Sequence, residues 1–315
     1  MSSSDFLVSI LIPVYNEEKN IDVLLERLLP ILKPYRYEIV FINDCSKDKT
    51  VEKIKEKIQD NKNLRLLSFY RNFGHQMALT CGYEHTKGDC VITIDADLQD
   101  PPEIIPQMIE EWQKGAKVVY AKRSKRETDT AFKKYTAQWF YKFINFLSDI
   151  PIPEDVGDYR LLDREVVEFL NSLPEQSRFL RGLVAWGGYP STYVYFERAK
   201  RHAGETGYTL SKMLNFALDG VTSFSTKPLR IATYLGFYSA FLGFAGILYA
   251  IIGKWFRPPF FPHEWVTGWT ALFVGIMFIG GIQLITIGII GEYIGKIYKE
   301  VQKRPRYLLR ETVNV

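Results

Sequence analysis

Strand-like and helix-like patterns alternate through the first 125 residues. FLVSILIPVY is an apolar run bounded by polar residues, the pattern of a buried strand. NEEKNIDVLLERLLPIL repeats its apolar residues at helical spacing and predicts an amphipathic helix. YEIVFIND predicts a second strand, Thr50 to Gln59 a second helix, LRLLSFYR a third strand and HQMALTCGYEHT a third helix. Cys90 to Ile94 reads as a fourth strand that ends in Asp95-Ala96-Asp97. Pro101 and Pro102 stop it and suit the first turn of a following helix. AKVVYAKR is a further strand. Such alternation predicts an α/β fold with a Rossmann-like, doubly wound, mostly parallel sheet. No GxGxxG follows the first strand and no Walker A sequence occurs, which argues against a nicotinamide or P-loop site.

The pattern changes in the last third. Ile231 to Ile252 is 22 residues without a charge, and Trp265 to Gly291 is 27. At ~1.5 Å per residue either run reaches across a ~30 Å hydrocarbon core. The aromatic- and proline-rich link between them, GKWFRPPFFPHEW, suits an interface. Lys296, Lys299, Lys303, Arg304, Arg306 and Arg310 then form a basic tail that marks the cytoplasmic side. Two spans return the chain to the side it left. The expected organisation is a cytoplasmic catalytic domain over 1–230, a transmembrane hairpin over 231–291 and a basic cytoplasmic tail over 292–315. DTAFKKYTAQWFYKFINFLSDI carries an aromatic stripe with lysines off it, either an interfacial helix or ordinary core packing. YTLSKMLNFALDGVTSFS is a second such candidate. Gly280, Gly281, Gly288, Gly291 and Gly295 allow close helix packing, so a homo-oligomer is expected.

Cysteine usage agrees with this orientation. Cys45, Cys81 and Cys90 are odd in number and lack CxxC spacing, which argues against a disulfide scaffold or a zinc site and for a reducing compartment. MSSSDFLVSILIPVYNE has no basic n-region and reads as a first strand, not a signal peptide. With a formal charge of +4, no nucleic-acid partner is expected.

The residues that follow each strand carry the chemistry. They are Asn16-Glu17, Asn43-Asp44, Asn72-Phe73-Gly74-His75 and Asp95-Ala96-Asp97. Any one of them could be a cap or turn. In a parallel sheet, however, all lie on one edge, beyond the carboxyl ends of the strands, where α/β proteins bind ligands. Two carboxylates one residue apart suit a hard divalent cation or a solvated turn.

SILIPVYNEEKNI, INDCSKDKT, RNFGHQMALTCGY and DADLQDPPE, in this order and spacing, resemble a family 2 glycosyltransferase of the GT-A fold over about residues 6–230. GDYRLLDR, RFLRG and the segment KRHAGETGYTLSKMLNFALDGVTSFSTKPLR are similar to the dolichol-phosphate-mannose-synthase branch. Within it they resemble bacterial polyprenyl-phosphate glycosyltransferases with two carboxyl-terminal membrane helices, proteins of the inner membrane. The resemblance implies an inverting transfer of a hexose, glucose favoured, from a UDP-sugar to polyprenyl phosphate. GDP-mannose, UDP-GlcNAc or a UDP-aminoarabinose type of donor is the alternative. It further implies that Asp97, with Gln99 as an oxygen ligand, holds Mg²⁺ or Mn²⁺, and that Asp95 contacts the metal or the ribose beside Ala96. Pro13, Tyr15 and Glu17 match base and ribose contacts, with core packing the other reading for Tyr15. Asp44 matches an acceptor for a uracil N3–H. Asp158 matches the catalytic carboxylate, for orientation or weak base work; Asp155 is the alternative, and capping of a helix RLLDREVVEFL the plain one. Arg123 matches the acceptor-phosphate arginine, with Lys133 or Lys134 as a second basic contact. Arg201 lies where relatives fold a loop over the donor diphosphate. Many relatives carry a lysine where this chain has Gly207, which leaves that loop's phosphate contact to Arg198, Arg201 or Lys212. A processive polysaccharide synthase usually shows a QxxRW motif, which Gln176-Ser177-Arg178 does not fit. A degenerate scaffold would have no need of intact Asp95, Asp97 and Asp158.

Overall fold

A computed structural model of the chain describes residues 5–124, 156–197, 225–256 and 269–314. Four strands at its centre come from the apolar runs: β1 (Leu7–Val14), β2 (Arg36–Asn43), β3 (Leu64–Phe69) and β4 (Cys90–Thr93). β1 pairs in parallel with both β2 and β4, and β2 with β3. Alternate residues feed two cores. Ile10, Ile12, Ile39 and Phe41 pack with α1 (Ile21–Leu32), α2 (Thr50–Asp60) and α4 (Ile105–Gln113). Leu11, Val40, Ile42 and Leu67 pack with α3 (His75–His85), α5 (Arg164–Ser172) and α6 (Leu180–Trp186). Burying each such side chain stabilises the fold by ~1.5–3 kcal/mol. α3 lies so close to β1 that a Cβ on Gly82 would stand 2.0 Å from Leu11 Cδ1, so any larger residue there would force the buried Leu11 side chain to move.

The expected α/β class is found, but the sheet is mixed. β5 (Val118–Arg123), β6 (Val156–Asp163), β7 (Ser191–Phe196) and β8 (Leu309–Val313) complete the order β7-β5-β6-β4-β1-β2-β3-β8. β6 runs antiparallel to β4 and β5, and β8 antiparallel to β3. The helix expected at RLLDREVVEFL therefore starts later. Arg160 to Asp163 belong to β6, and α5 begins at Arg164. Its cap is Asp163, which accepts from Glu165 N at 3.0 Å, so capping is not the task of Asp158.

The expected basic tail contributes β8. Tyr70 N donates to Leu308 O at 3.1 Å, Tyr307 stacks on Phe69 with centroids 5.2 Å apart, and Lys55 pairs with Glu311 at 2.6 Å. Ahead of it stand α7 (Lys227–Phe256) and α8 (Trp269–Gln302), which pack against each other. Among the described residues, Val274–Gln302 is long and apolar enough to cross a membrane. Phe237, Phe241, Leu284 and Ile287 on these helices are exposed. The interfacial-helix candidate at 129–150 lies outside the described residues, as does the one at 208–225 except for its last residue, Ser225. So do Lys133, Lys134, Asp155, Arg198, Arg201, Gly207 and Lys212.

At the amino edge of the sheet, a buried polar cluster closes on itself. Glu38 accepts from Ser9 Oγ (2.5 Å), Arg65 Nη1 (2.5 Å) and Lys87 N (2.6 Å). Ser9 Oγ in turn accepts from Gly88 N at 2.8 Å.

Candidate active site

The carboxyl ends of β1 to β4 open into a cavity of about 750 Å³. Pro13, Tyr15 and Glu17 line it from β1, Asp44 from β2, His75 from the start of α3, and Asp95, Ala96 and Asp97 from β4. Asp158 comes from β6 and Arg181 from α6. Tyr15 is 44% exposed, so its ring belongs to the cavity wall and not to the core.

The strand ends are shaped by side chain–backbone bonds. Asn16 Oδ1 accepts from Lys47 N at 2.8 Å and Asn43 Oδ1 from Ser46 N at 2.9 Å, so Asn43 is the turn-former that its residue type suggests. Asp97 Oδ1 accepts from Gln99 N at 3.1 Å. Asn16, Cys45 and Leu98 sit at φ +57°, +64° and +62°, a left-handed conformation that costs non-glycine residues energy and gathers at functional sites.

Asp44 holds the third strand end. Its carboxylate accepts from Phe73 N (2.6 Å) and Gly74 N (2.9 Å), and Gly74 takes φ +93° to start α3. Burial pushes the Asp44 carboxyl above its usual value in spite of these donors. The result brings His75 into the cavity, where 40% of its side chain stays open.

Asp158 is the electrostatic centre. Only 5% exposed, it receives a two-pronged grip from Arg181 (Nε to Oδ1 3.1 Å, Nη2 to Oδ2 2.9 Å). His75 Nε2 stands 3.2 Å from Oδ2, and Nη2 of the fully buried Arg160 stands 3.6 Å from Oδ1. Burial alone would raise this carboxyl, but Arg181, His75 and Arg160 together hold it well below the usual range. His75 shows the converse. Burial would lower it, yet the Asp158 hydrogen bond and the Asp95 charge, 4.0 Å away, push it up to about 9. Asp95 is raised by burial, then by the nearby charges of Asp158 and Asp97, against the pull of His75 and Arg181.

Asp95 and Asp97 thus form a crowded oxygen pair on one wall, a donor set that fits a hard divalent cation. Such a cation, held by one or two carboxylates, takes its other ligands from phosphate and water. Among the described residues no group of three metal-type side chains assembles.

Two predicted site residues stand outside this lining. Arg123 ends β5, half-buried, with Nη2 3.8 Å from where a Cβ on Gly157 would be, which sets it beside the neighbour of Asp158. Gln99 is half-buried, beyond the turn that its N–H makes with Asp97. Sequence reasoning gave no role to His75, although it closes the third polar strand end, and none to Arg160, hidden in a segment that reads as helix. Arg181 lies in RFLRG, one of the segments that carry the resemblance, but its bond to Asp158 follows only from the docking of α6.

Comparison with known proteins agrees with the resemblance. Residues 9–170 match glycosyl transferase family 2. The chain is 47% identical over 308 residues to the SfII prophage-derived bactoprenol glucosyl transferase of Shigella flexneri, covering 97% of this chain and 98% of that one. It is 46% identical over 306 residues to the prophage bactoprenol glucosyl transferase homolog of Escherichia coli, at 96% and 98% coverage. An uncharacterized glycosyltransferase of Bacillus subtilis is 44% identical over 309 residues, at 98% and 94% coverage. The chain belongs to glycosyl transferase family 2 and is a glycosyltransferase.

Proposed function

We propose that this enzyme transfers glucose, with inversion, from UDP-glucose to a polyprenyl phosphate at the cytoplasmic face of a membrane. An acceptor phosphate oxygen bonds to the anomeric carbon as the bond from that carbon to the UDP β-phosphate oxygen breaks. The products are polyprenyl-phosphate glucose and UDP. The names of the Shigella and Escherichia relatives support both the sugar and the lipid.

The observation that carries the reading is the state of Asp158. A carboxylate gripped by Arg181 and His75, and held far below its usual pKa, is a poor base. A sugar hydroxyl would require a base, whereas a phosphate monoester, with a second pKa of ~6, is already an anion. Asp158 therefore orients: it fixes Arg181 and His75 as the cationic groups of the cavity, with His75 4.0 Å from Asp95. The acceptor phosphate is held by Arg123, whose planar fork matches phosphate oxygens. Tyr15, Glu17 and Asp44 take the nucleoside, Asp44 with the lone pairs that Phe73 and Gly74 leave it. Asp95 and Asp97 would hold Mg²⁺ or Mn²⁺, with Gln99 near enough in sequence to add an oxygen. When bound, the cation supplies Lewis-acid neutralisation of the diphosphate.

The α7–α8 pair is the membrane hairpin of this reading. It keeps the catalytic domain and the β8 strand on the same, cytoplasmic side, beside the lipid phosphate. The domain limits 1–230, 231–291 and 292–315, the acceptor contacts of Lys133 and Lys134, and the donor contact of Arg201 belong to the same proposal.

The test is to offer UDP-glucose, UDP-GlcNAc and GDP-mannose singly, with undecaprenyl phosphate and Mg²⁺ or Mn²⁺, to the purified full chain. Mass spectrometry should find the glucosyl lipid from UDP-glucose. Product from GDP-mannose alone would overturn the donor; product with chelator present would overturn the metal.

A further inference from the structure

Gln176-Ser177-Arg178 has no part in the reading above, yet it is held in an unusual way. Glu300, near the end of α8, accepts from Gln176 N at both carboxylate oxygens (3.0 and 2.9 Å) and from Ser177 N at 3.0 Å. These N–H groups belong to the link between α5 and α6, 124 and 123 residues away in sequence. The link is braced from within. Arg178, 4% exposed, donates from Nη2 to Leu173 O at 2.6 Å. Its far end is tied to the catalytic wall, since Leu180 N donates to Gln76 Oε1 at 3.1 Å, one residue after His75. The next residue is Arg181, whose fork lies on Asp158.

A continuous set of short contacts therefore runs from the apolar helix to the site. Glu300 holds the amides of Gln176 and Ser177, the braced link fixes the start of α6, and α6 sets Arg181 against Asp158. A carboxylate is well suited to the first step, because its two oxygens accept adjacent backbone N–H groups at once and no side-chain partner must be ordered.

We infer that Glu300 is a positioning residue for the transfer reaction, acting from α8 through the Gln176–Ser177 amides to seat Arg181 on Asp158. The inference rests on the proposed function for what Arg181 serves, and on geometry alone for the link itself. It gives α8 a second task besides anchoring, because a displacement of this helix relative to the sheet is felt at Arg181.

The experiment uses the full chain in lipid nanodiscs with Glu300→Ala, Glu300→Gln, Arg181→Ala and the Glu300→Ala/Arg181→Ala pair. Glu300→Ala should lower kcat/KM for undecaprenyl phosphate by about tenfold, the scale of one lost charge-assisted bond, while UDP affinity by calorimetry changes less than about twofold. Glu300→Gln should fall between, since one carbonyl oxygen remains to accept. In an Arg181→Ala background the further loss should be under about twofold, because residues acting in one chain do not add. Amide exchange should quicken over residues 174–186 and stay unchanged over β3. Multiplicative losses in the pair would overturn the inference, as would unchanged exchange over 174–186. Exchange quickened across the whole sheet would also overturn it, making Glu300 a general anchor. If the wild-type chain makes no glucosyl lipid, the functional reading fails, and exchange over 174–186 still decides the link.

Discussion

The two ends of one sheet hold two polar clusters built on opposite terms. At the amino edge Glu38 has its donors in place: Ser9, Arg65 and the Lys87 amide all reach it, the backbone is unstrained, and one negative charge meets one positive charge. At the carboxyl edge Asp95 and Asp97 crowd each other, while Asp158 draws Arg181, His75 and Arg160 to itself, with His75 in reach of Asp95 as well. Three non-glycine residues there take a left-handed conformation. The first cluster turns its donors on one carboxylate, and only Arg65 Nε is left there without a hydrogen-bond partner. The second interleaves its charges around a cavity: His75 bonds Asp158 and stands 4.0 Å from Asp95, while Asp97 crowds Asp95 with a like charge. Burial of charge is common to both, so it does not by itself mark a site; the mutual crowding of like charges does.

That contrast breaks most sharply at Asp97. Asp97→Ala should lower transfer by about a thousand-fold or more, several kcal/mol of lost charge stabilisation, with the melting temperature of the purified chain unchanged or raised. Loss of fold together with turnover would put Asp97 in the same category as Glu38. The mirror experiment is Glu38→Ala, which leaves Arg65 buried without its carboxylate and should remove ~3–5 kcal/mol of stability in chemical denaturation. The folded fraction should keep its KM for donor, and Glu38→Met with Arg65→Met should recover most of the loss; a donor KM raised in proportion to the destabilisation would erase the distinction. Arg123→Ala should have the smallest effect of the three. It should cost ~2–4 kcal/mol, roughly 30- to 1000-fold, in the use of undecaprenyl phosphate, with UDP affinity changed less than about threefold. Arg123→Lys should recover part, since it keeps the charge and loses the fork. A variant that loses UDP binding instead would move Arg123 to the donor side and leave the acceptor to Arg181.

The halves of the site differed in how far the sequence revealed them. β1 to β4 are largely buried and read as mainly apolar runs, in which Ser9, Glu38 and Arg65 are few enough not to hide the pattern, and parallel pairing sends their polar ends to one edge. Tyr15, Asp44, Asp95 and Asp97 could therefore be grouped before any coordinates. β6 hides because Asp158 and Arg160 interrupt its apolar residues; the strand holds Asp158 because Arg181 and His75, with Arg160 3.6 Å away, offset its charge. β7 alternates exposed Tyr193 and Tyr195 with buried Val194 and Phe196, a short edge pattern that propensity marks weakly. β8 pairs with a strand more than two hundred residues away, and local patterns carry no information about such partners. Arg181 stands in RFLRG, a segment the resemblance picks out, but its pairing with Asp158 depends on the packing of α6, which local patterns do not show.

The pairing of β8 with β3 also sets a timetable for making the protein. During synthesis β3 emerges roughly 240 residues before its outer partner, which at ~5–20 residues per second leaves its edge bare for on the order of 10–50 s. An unpaired, apolar strand edge is a template for aggregation. The β3 edge of the nascent chain therefore stays open until both long helices have been made and the tail has come back to close the sheet. Completion of the sheet and placement of α8 are then one event, and a chain that fails to place α8 is left with an open β3 edge.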